Sequence, residues 1–293
     1  MRICRYNHPD AGTNRIGIVR DDHVFDVTAA LDSLPSFRYP FPLGDQLIAN
    51  LDRLAPQMEK LADAGEGIPV AKIDFLSPVA NPTKIIGVPQ NYEEHALEST
   101  ADHGISQGKP RRKMEDQGLF LKSNSALVGP SEGVALRFSD RRTDHEAELG
   151  MVIGKYGSDI SYDDAMDYVA GFAIAMDMVV RGPEDRSFRK SVDTYAVLGP
   201  WLVTADEIPD PGNLDFHLSV GGELRQKNNT SNLILDLPGQ IVWASQFYAL
   251  HPGDIIMSGT CAGVNRVQPG DVMHLEFEGI GAMDVPVRAH DVY

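Results

Sequence analysis

The chain has 293 residues, of which 42% are hydrophobic and 23% are charged, a composition typical of a globular protein with one or two domains. Its formal net charge is -16, and no run of basic residues is longer than Arg111, Arg112 and Lys113. Because nucleic acids and anionic membranes bind basic surfaces, this charge disfavours both as partners.

The two cysteines, Cys4 and Cys261, lie far apart and form no CxxC motif. The sequence therefore predicts neither a disulfide framework nor a zinc site. The first residues, "MRICRYNHPD", lack the apolar core of a signal peptide, and no stretch approaches the roughly 18 apolar residues of a membrane span. We expect a soluble, cytoplasmic protein.

Residues 1–78 are predicted to form a small N-terminal α+β domain. The alternating stretch "RIGIVRDDHVFDV" predicts a β-hairpin that turns at residues 20–22. Apolar residues at helical spacing over 45–64 predict a helix with a kink at Pro56. The proline-rich stretch "LSPVANPTK" then marks a boundary near residues 76–82.

Short strands separated by glycine and proline turns dominate residues 79–293. Examples are "GDIIMSG" and "GDVMHLEFEG", with the turns "HPGD" and "QPGD". This pattern indicates a β-rich catalytic domain rather than the regular alternation of strands and helices in a doubly wound sheet. The predicted fold class is β-rich α+β.

Three carboxylates interrupt two apolar stretches, "TDHEAELGMVIGK" and "YVAGFAIAMDMVVRG". Glu146 and Glu148 alternate along the first and point to the same side of a strand, and Asp177 interrupts the second. An ionised carboxylate in such surroundings is unfavourable unless it is paired or binds a cation. Oxygen ligands of this kind suit Mg²⁺ or Mn²⁺. The alternative is that Glu146 or Glu148 pairs with Arg141, Arg142 or Arg181 and that Asp177 caps a turn.

The stretch "NYEEHALES" predicts a helix start, with Asn91 and Glu94 in a capping box. His95 and Glu98 then share one face at i and i+3. A carboxylate orients an imidazole and raises its basicity, which suits a general base acting on water. The alternative is a pair of solvated surface side chains.

Two further segments offer candidate binding residues. The charged segment "RGPEDRSFRKSVDTYAVLGPWLV" contains Arg181 and Lys190, which can hold an anion or neutralise a developing enolate. The strand in "GDIIMSGTCAGV" ends at Gly259 and Thr260, where a backbone can approach a ligand. The alternatives are a solvated loop and an ordinary tight turn.

Taken in order, six blocks across about residues 82–290 resemble the fumarylacetoacetate hydrolase family. The blocks are "KIIGVPQNYEEHALES", "LFLKSNSALVGPSEGV", "DHEAELGMVIGK", "YVAGFAIAMDMVVR", "KSVDTYAVLGPWLVT" and "GDIIMSGTCAGV". The resemblance implies a mixed β-roll or barrel-like fold, preceded by a small N-terminal domain, and a homodimer. It also implies that Glu146, Glu148 and Asp177 bind Mg²⁺ or Mn²⁺.

The resemblance further implies that His95 and Glu98 lie on a lid helix and activate water. Lys190 corresponds to the family lysine, and Thr260 to the threonine of its Gly-Thr turn. Three departures bear on substrate contacts, all of them readable in the sequence. Gly182 and Glu184 replace an Asp and a Gln of many members, Cys261 replaces a proline, and the connection over 103–118 is longer.

Residues in and beside these departures are candidates for contact with the substrate. Arg181 and Glu184 remain candidates for substrate binding. In the longer connection, Arg111, Arg112 and Lys113 either recognise a second polar or anionic end of the substrate or form a solvated loop, which is the preferred interpretation.

The leading hypothesis is a metal-dependent hydrolase that cleaves the C3–C4 bond of a 2,4-dioxo acid of the acylpyruvate type. His95 would deprotonate the attacking water, and the metal with Lys190 would stabilise the leaving pyruvate enolate. The enzymatic rival is a decarboxylase, tautomerase or hydratase that acts on a 2-oxo acid through the same enolate. A binding protein that keeps the fold and metal without turnover is the rival from another class.

Overall fold

A computed structural model describes residues 1–108, 110 and 112–290, and β-strands dominate them. The strands are β1 Arg2–His8, β2 Gly12–Arg20, β3 His23–Asp26, β4 Gly67–Pro69, β5 Asp74–Leu76, β6 Ile85–Gly87, β7 Phe120–Lys122, β8 Leu127–Val128, β9 Val134–Leu136, β10 Thr143–Asp144, β11 Ala147–Ile153, β12 Val169–Asp177, β13 Val179–Val180, β14 Ala196–Thr204, β15 Asp215–Val220, β16 Glu223–Asn229, β17 Ile255–Met257, β18 Val272–Phe277 and β19 Gly281–Ala289. The α-helices are α1 Gln46–Ala49, α2 Leu51–Ala64, α3 Glu93–Ala101, α4 His103–Ser106, α5 Met114–Gln117, α6 Arg186–Lys190 and α7 Leu237–Phe247.

Most of these strands belong to one large mixed sheet. Its main path is β4-β3-β2-β1-β14-β12-β11-β17-β6-β7, with β5 paired to β1 and β8 paired to β14. A second sheet has the order β16-β15-β18-β19-β9, and β10 pairs with β13. No strand path closes on itself within the described residues, so the predicted β-rich α+β fold is confirmed as an open, mixed arrangement without a closed barrel.

The centre of the large sheet is formed by β11 and β12. All seven residues of β11 are buried, and β12 is buried at every position except Ala170. Strands covered on both faces read as nearly continuous apolar sequence, which is the pattern of these two stretches. Their antiparallel register pairs Glu148 with Ala175. The amide of Asp177 also donates to the carbonyl of Glu146 at 2.9 Å, so the ends of both strands carry acidic side chains side by side.

The N-terminal hairpin is confirmed, because β2 and β3 pair across a turn at residues 21 and 22. The predicted helix over 45–64 is divided, and the division lies at Asn50 rather than at Pro56. Helix α2 continues through Pro56, which lies early in the helix and removes only one internal hydrogen bond. The predicted kink at Pro56 stays a prediction.

The first strand joins the N-terminal segment to the rest of the protein. Strand β1 pairs with β14, which also pairs with β12, so the N-terminal strands extend the same sheet that carries the acidic residues. The division into domains 1–78 and 79–293 stays a prediction. Across the described part of the chain, no helix has the length and apolar character needed to cross a membrane.

Candidate active site

The three predicted metal ligands lie together at the ends of β11 and β12. Candidate ligand atoms of Glu146, Glu148 and Asp177 all lie within 4.8 Å of one another, and all three residues are buried. The described residues contain one other group of this kind, His217, His274 and Glu276, on the outer face of the second sheet. The sequence prediction that the three carboxylates form one cluster is therefore correct in geometry.

Three cationic side chains pair with the carboxylates and form an alternating chain of charges. Arg181 donates to Glu146 at 3.1 Å, and Lys190 donates to the same carboxylate at 2.5 Å and also to Asp177. Lys122 is fully buried and donates to the other oxygen of Asp177. Pairing with Arg181, the alternative stated from the sequence, thus coexists with the cluster.

The chain of charges continues outward to helix α3. Arg181 also donates to Asp144 at 2.8 Å, and Arg142 donates to Asp144 at 2.6 Å. The other end of Arg142 donates to Asp102 at 2.7 Å, at the junction of α3 and α4. The buried acidic cluster is therefore connected by ion pairs to the helix that carries His95.

The carboxylates of Glu146 and Glu148 have opposite electrostatic surroundings. Burial pushes the pKa of Glu146 upward, but Lys190 and Arg181 outweigh it and lower the pKa to about 2. Burial, and then the charge of Asp177, raise the pKa of Glu148 well above its ordinary value. Its Oε2 atom accepts from the Gly259 amide at 2.8 Å, and no described cationic side chain forms a salt bridge with it.

A divalent cation fits this donor set. The cluster offers hard carboxylate oxygens only, which Mg²⁺ and Mn²⁺ prefer. A nearby doubly charged ion would also favour the ionised form of Glu148, because burial and Asp177 raise its pKa by more than the charge of Lys190 lowers it. The chemistry of the three ligands therefore supports the predicted choice of metal.

The predicted contact between His95 and Glu98 on helix α3 is present. His95 Nδ1 lies 3.0 Å from Glu98 Oε2, which leaves Nε2 as the free ring nitrogen. The second oxygen of Glu98 accepts from the Gly263 amide at 2.9 Å. Glu98 therefore fixes the imidazole and also ties α3 to the loop after β17, so these side chains are not simply solvated.

The predicted capping box at the start of α3 is wrong. The helix begins at Glu93, and its N-cap, Tyr92, makes no side-chain cap bond. Asn91 is instead fully buried, where its side chain donates to the carbonyls of Leu235 and Ser258 and accepts from the Leu235 amide. Asn91 thus fixes the start of α3 against two segments that are distant in sequence. Local spacing does not predict such contacts.

Gly259 allows the loop after β17 to approach the start of helix α3 closely. Its φ is +96°, and an added Cβ would lie 2.6 Å from the Cβ of Asn91. Thr260 is buried, donates to the carbonyl of Ala147 at 2.9 Å, and accepts from Gln226 at 2.8 Å. These contacts place the Gly259–Thr260 backbone beside Glu148.

The segment over 181–184 is held by Arg141. This guanidinium donates to the carbonyl of Arg181 and binds both carboxylate oxygens of Glu184, at 3.0 and 2.7 Å. A Cβ at Gly182 would lie 1.9 Å from Arg141 Nη2, so the glycine and the glutamate belong to one local arrangement. Both departures from the family pattern therefore have a structural reason.

His95 and the three clustered carboxylates border one cavity of about 570 Å³, a volume ordinary for a small-molecule site. The predicted residues among its lining are His95, Glu146, Glu148, Asp177, Arg181, Glu184, Lys190 and Thr260. Arg112 also borders it, Lys113 is exposed at the start of α5, and Arg111 lies outside the described residues.

Sequence reasoning missed three parts of the site: Lys122, the Asp144–Arg142–Asp102 connection and the role of Gln226. Lys122 left a signal, because it is a lone charge at the end of the apolar stretch "LFLK". Gln226 lies on β16, and its side-chain amide joins Ala147, 79 residues earlier, to Thr260 and Cys261, 34 and 35 residues later. No local pattern predicts such a contact.

The fold and the site together define a class of protein. The sequence model described as the C-terminal domain of fumarylacetoacetate hydrolase matches residues 84–288. The chain belongs to the fumarylacetoacetate hydrolase family, as its motifs predicted.

Several characterised relatives are similar along their whole length. The chain is 51% identical over 291 residues to a maleylpyruvate hydrolase of Aquipseudomonas alcaligenes, covering 99% of this chain and 100% of the relative. It is 35% identical to a mitochondrial oxaloacetate tautomerase of Xenopus laevis, over 98% of this chain and 90% of the relative. The crystal structure of a maleylpyruvate hydrolase from Sphingobium sp. SYK-6, in complex with manganese(II) and pyruvate, gives a TM-score of 0.83 at 37% identity and covers 99% and 100% of the two chains.

Proposed function

We propose that this protein is a divalent-metal-dependent hydrolase that cleaves the C3–C4 bond of a 2,4-dioxo acid and releases pyruvate and a carboxylic acid. The observation that carries the proposal is that the three buried carboxylates and His95, which Glu98 orients, border one cavity. Hydrolysis of this kind needs a site for an anionic keto acid and a base for water. The similarity to maleylpyruvate hydrolases supports the same reaction.

Glu146, Glu148 and Asp177 would hold Mg²⁺ or Mn²⁺. When bound there, the ion supplies positive charge beside the 1-carboxylate and 2-oxygen of the substrate. Lys190 lies against two of the three ligands. Its ammonium is thus available to donate to an oxygen that gains negative charge at C2.

His95 provides the base for the water molecule. Because Nδ1 faces the Glu98 carboxylate, it carries the ring proton, and Nε2 is free to accept a proton from water. The water oxygen then bonds to C4, the C3–C4 bond breaks with its electron pair on C3, and C3 takes up a proton. The products are pyruvate and the carboxylic acid derived from C4.

Tautomerisation of a 2-oxo acid is the second candidate function, because tautomerases are among the relatives at about 35% identity. That reaction moves a proton at C3 and needs no attacking water. The two functions differ in their products, since only hydrolysis of an acylpyruvate yields pyruvate and a second acid.

The test is to measure pyruvate release from acetylpyruvate and maleylpyruvate, and keto–enol exchange of oxaloacetate, with the same enzyme preparation. Each assay is run after chelation and again with added Mn²⁺ or Mg²⁺. Metal-dependent pyruvate release is the expected result. Exchange without pyruvate release would replace hydrolysis with tautomerisation, and full activity in protein shown by elemental analysis to be metal-free would overturn the metal site.

A homodimer in the cytoplasm completes the proposal. The resemblance implies the dimer, and the segment over 37–43 exposes four large apolar side chains, Phe37, Tyr39, Phe41 and Leu43, on which a second copy could pack. Light scattering at micromolar concentration should give twice the chain mass of 32.1 kDa. A monomer mass would contradict the dimer.

A further inference from the structure

The cavity carries a second cationic region, separate from the acidic cluster and centred on Arg186. Arg186 is the first residue of α6, and its side chain borders the cavity. Its guanidinium donates to the side-chain oxygen of Gln117 and lies 5.4 Å from the ring centre of Phe120. The region therefore has an aromatic wall and an amide partner.

Unlike Arg141 and Arg181, Arg186 has no described carboxylate within salt-bridge distance. Arg141 pairs with Glu184, and Arg181 pairs with Asp144 and Glu146. No described carboxylate lies within salt-bridge distance of Arg186, although burial lowers its pKa and so marks it as poorly solvated. A guanidinium withdrawn from water without a counter-ion is a ready site for an anionic ligand.

A network of hydrogen bonds holds this guanidinium in place. The side-chain nitrogen of Gln117 donates to Gln90 at 2.7 Å and to the carbonyl of Arg112 at 3.0 Å. Gln90 in turn donates to Ser99 on α3, the helix that carries His95. The position of Arg186 is thus fixed by residues from three segments, as expected of a preorganised binding group.

Arg186 lies near Lys190, the residue that pairs with two carboxylates of the acidic cluster. Lys190 Nζ lies 5.1 Å from the same Phe120 ring, on the side of the cluster. Arg186 and Lys190 are four residues apart on α6. This is about one helical turn, which places their Cβ atoms about 5 to 6 Å from each other. A seven-carbon 2,4-dioxo diacid spans about 7 Å between its carboxyl carbons, given C–C bonds of about 1.5 Å.

We propose that Arg186, oriented by Gln117, binds a second carboxylate at the distal end of the acyl group, so that the preferred substrates are dianionic 2,4-dioxo acids. This inference rests on the proposed function, because it assumes that the keto-acid end lies at the acidic cluster. Arg112, which also borders the cavity, adds positive charge at this end. Arg186 thus selects the substrate, and the groups at the acidic cluster carry out the chemistry.

The test compares a monoanionic substrate, acetylpyruvate, with a dianionic one, maleylpyruvate, in the metal-loaded enzyme. Wild type should favour maleylpyruvate in kcat/KM. Arg186→Met should lower kcat/KM for maleylpyruvate roughly 10- to 100-fold, the usual range for a lost charged hydrogen bond. The value for acetylpyruvate should change less than about threefold.

Two further variants make the result specific. Arg186→Lys keeps the charge and should recover part of the activity on maleylpyruvate if the protein binds a carboxylate there. Arg137→Met is the matched control, because Arg137 is exposed, pairs only loosely with Asp193 at 3.9 Å and does not border the cavity. It should leave both substrates unaffected.

The outcomes separate the two proposals. An equal loss on both substrates in Arg186→Met, or no preference for the dianion in wild type, would overturn the role of Arg186 and leave hydrolysis intact. Hydrolysis of neither substrate by the wild-type metal-loaded enzyme would overturn the proposed function itself. If Arg186→Met does not fold, the ratio of the two substrates in Arg186→Lys decides the same question.

Discussion

Glu146 and Glu148 allow two isosteric substitutions that should affect stability in opposite ways when no metal is bound. The Glu146 carboxylate lies between Lys190 and Arg181, whereas Glu148 has no salt bridge within the described part of the chain. Replacing either by glutamine keeps the shape and removes the charge. The free energy of unfolding should therefore report which carboxylate the protein itself compensates.

The magnitude follows from the pKa of Glu146. A change from the ordinary 4.5 to about 2 corresponds to about 3 kcal/mol at neutral pH, at about 1.4 kcal/mol per unit. Because the folded-state pKa is lowered, this stabilisation is present above pH 4.5 and is lost as the pH falls through about 2. Glu146→Gln should thus lower the free energy of unfolding by about 3 kcal/mol at pH 7, since it removes the carboxylate that Lys190 and Arg181 share and leaves each of these buried cations with one acidic partner fewer.

Glu148→Gln should have the opposite sign. The folded-state pKa of Glu148 is raised, first by burial and then by Asp177, so its ionisation opposes folding at every pH above the ordinary value. Glutamine removes that cost, and its carbonyl oxygen can still accept from the Gly259 amide. Without metal, the variant should be as stable as wild type or more stable.

The assay is urea unfolding at pH 7, first with excess chelator and then with Mn²⁺. At a Mn²⁺ concentration of 100 times Kd, wild type should gain about 2.7 kcal/mol, and Glu148→Gln should gain much less at the same concentration. Glu59→Gln is the control, because it breaks a partly exposed pair with Arg20 and should cost less than about 1 kcal/mol. Equal destabilisation of the Glu146 and Glu148 variants under chelation would refute the assignment of their charges.

Three further predictions follow from the site. His95→Ala should lower acylpyruvate hydrolysis by roughly 10²- to 10⁴-fold while Mn²⁺ affinity, measured by calorimetry, stays unchanged; a wild-type rate would remove the proposed base. Gly259→Ala should lower Tm more than Gly270→Ala. Both glycines have a φ of +96°, but only at Gly259 would the added Cβ lie 2.6 Å from another Cβ. Equal losses of Tm would show that backbone strain alone matters. Mn²⁺ affinity should rise with pH, because Glu148, whose pKa is raised, must lose its proton to bind the ion. Calorimetry in buffers of different ionisation enthalpy should detect the released proton. An affinity that does not depend on pH would contradict this prediction.

The sequence by itself determined those features that depend on local pattern and on the ordered motifs. The alternation of Glu146 and Glu148, and the lone Asp177 in an apolar stretch, identified a buried acidic cluster because unpaired carboxylates do not persist in such surroundings. The i, i+3 spacing of His95 and Glu98 likewise predicted their contact, since helical geometry brings these positions together. The six ordered motifs gave the family.

Only the tertiary structure decided the contacts between residues distant in sequence. Asn91 resembles a helix cap by its spacing, but its side chain bonds to Leu235 and Ser258, about 145 and 167 residues away. Glu184 looks free to bind substrate, yet Arg141 occupies both of its oxygens. Arg186 stands out only when the partners of the neighbouring arginines are known. Long-range pairing depends on how strands and loops are arranged in space, and local periodicity carries no information about it.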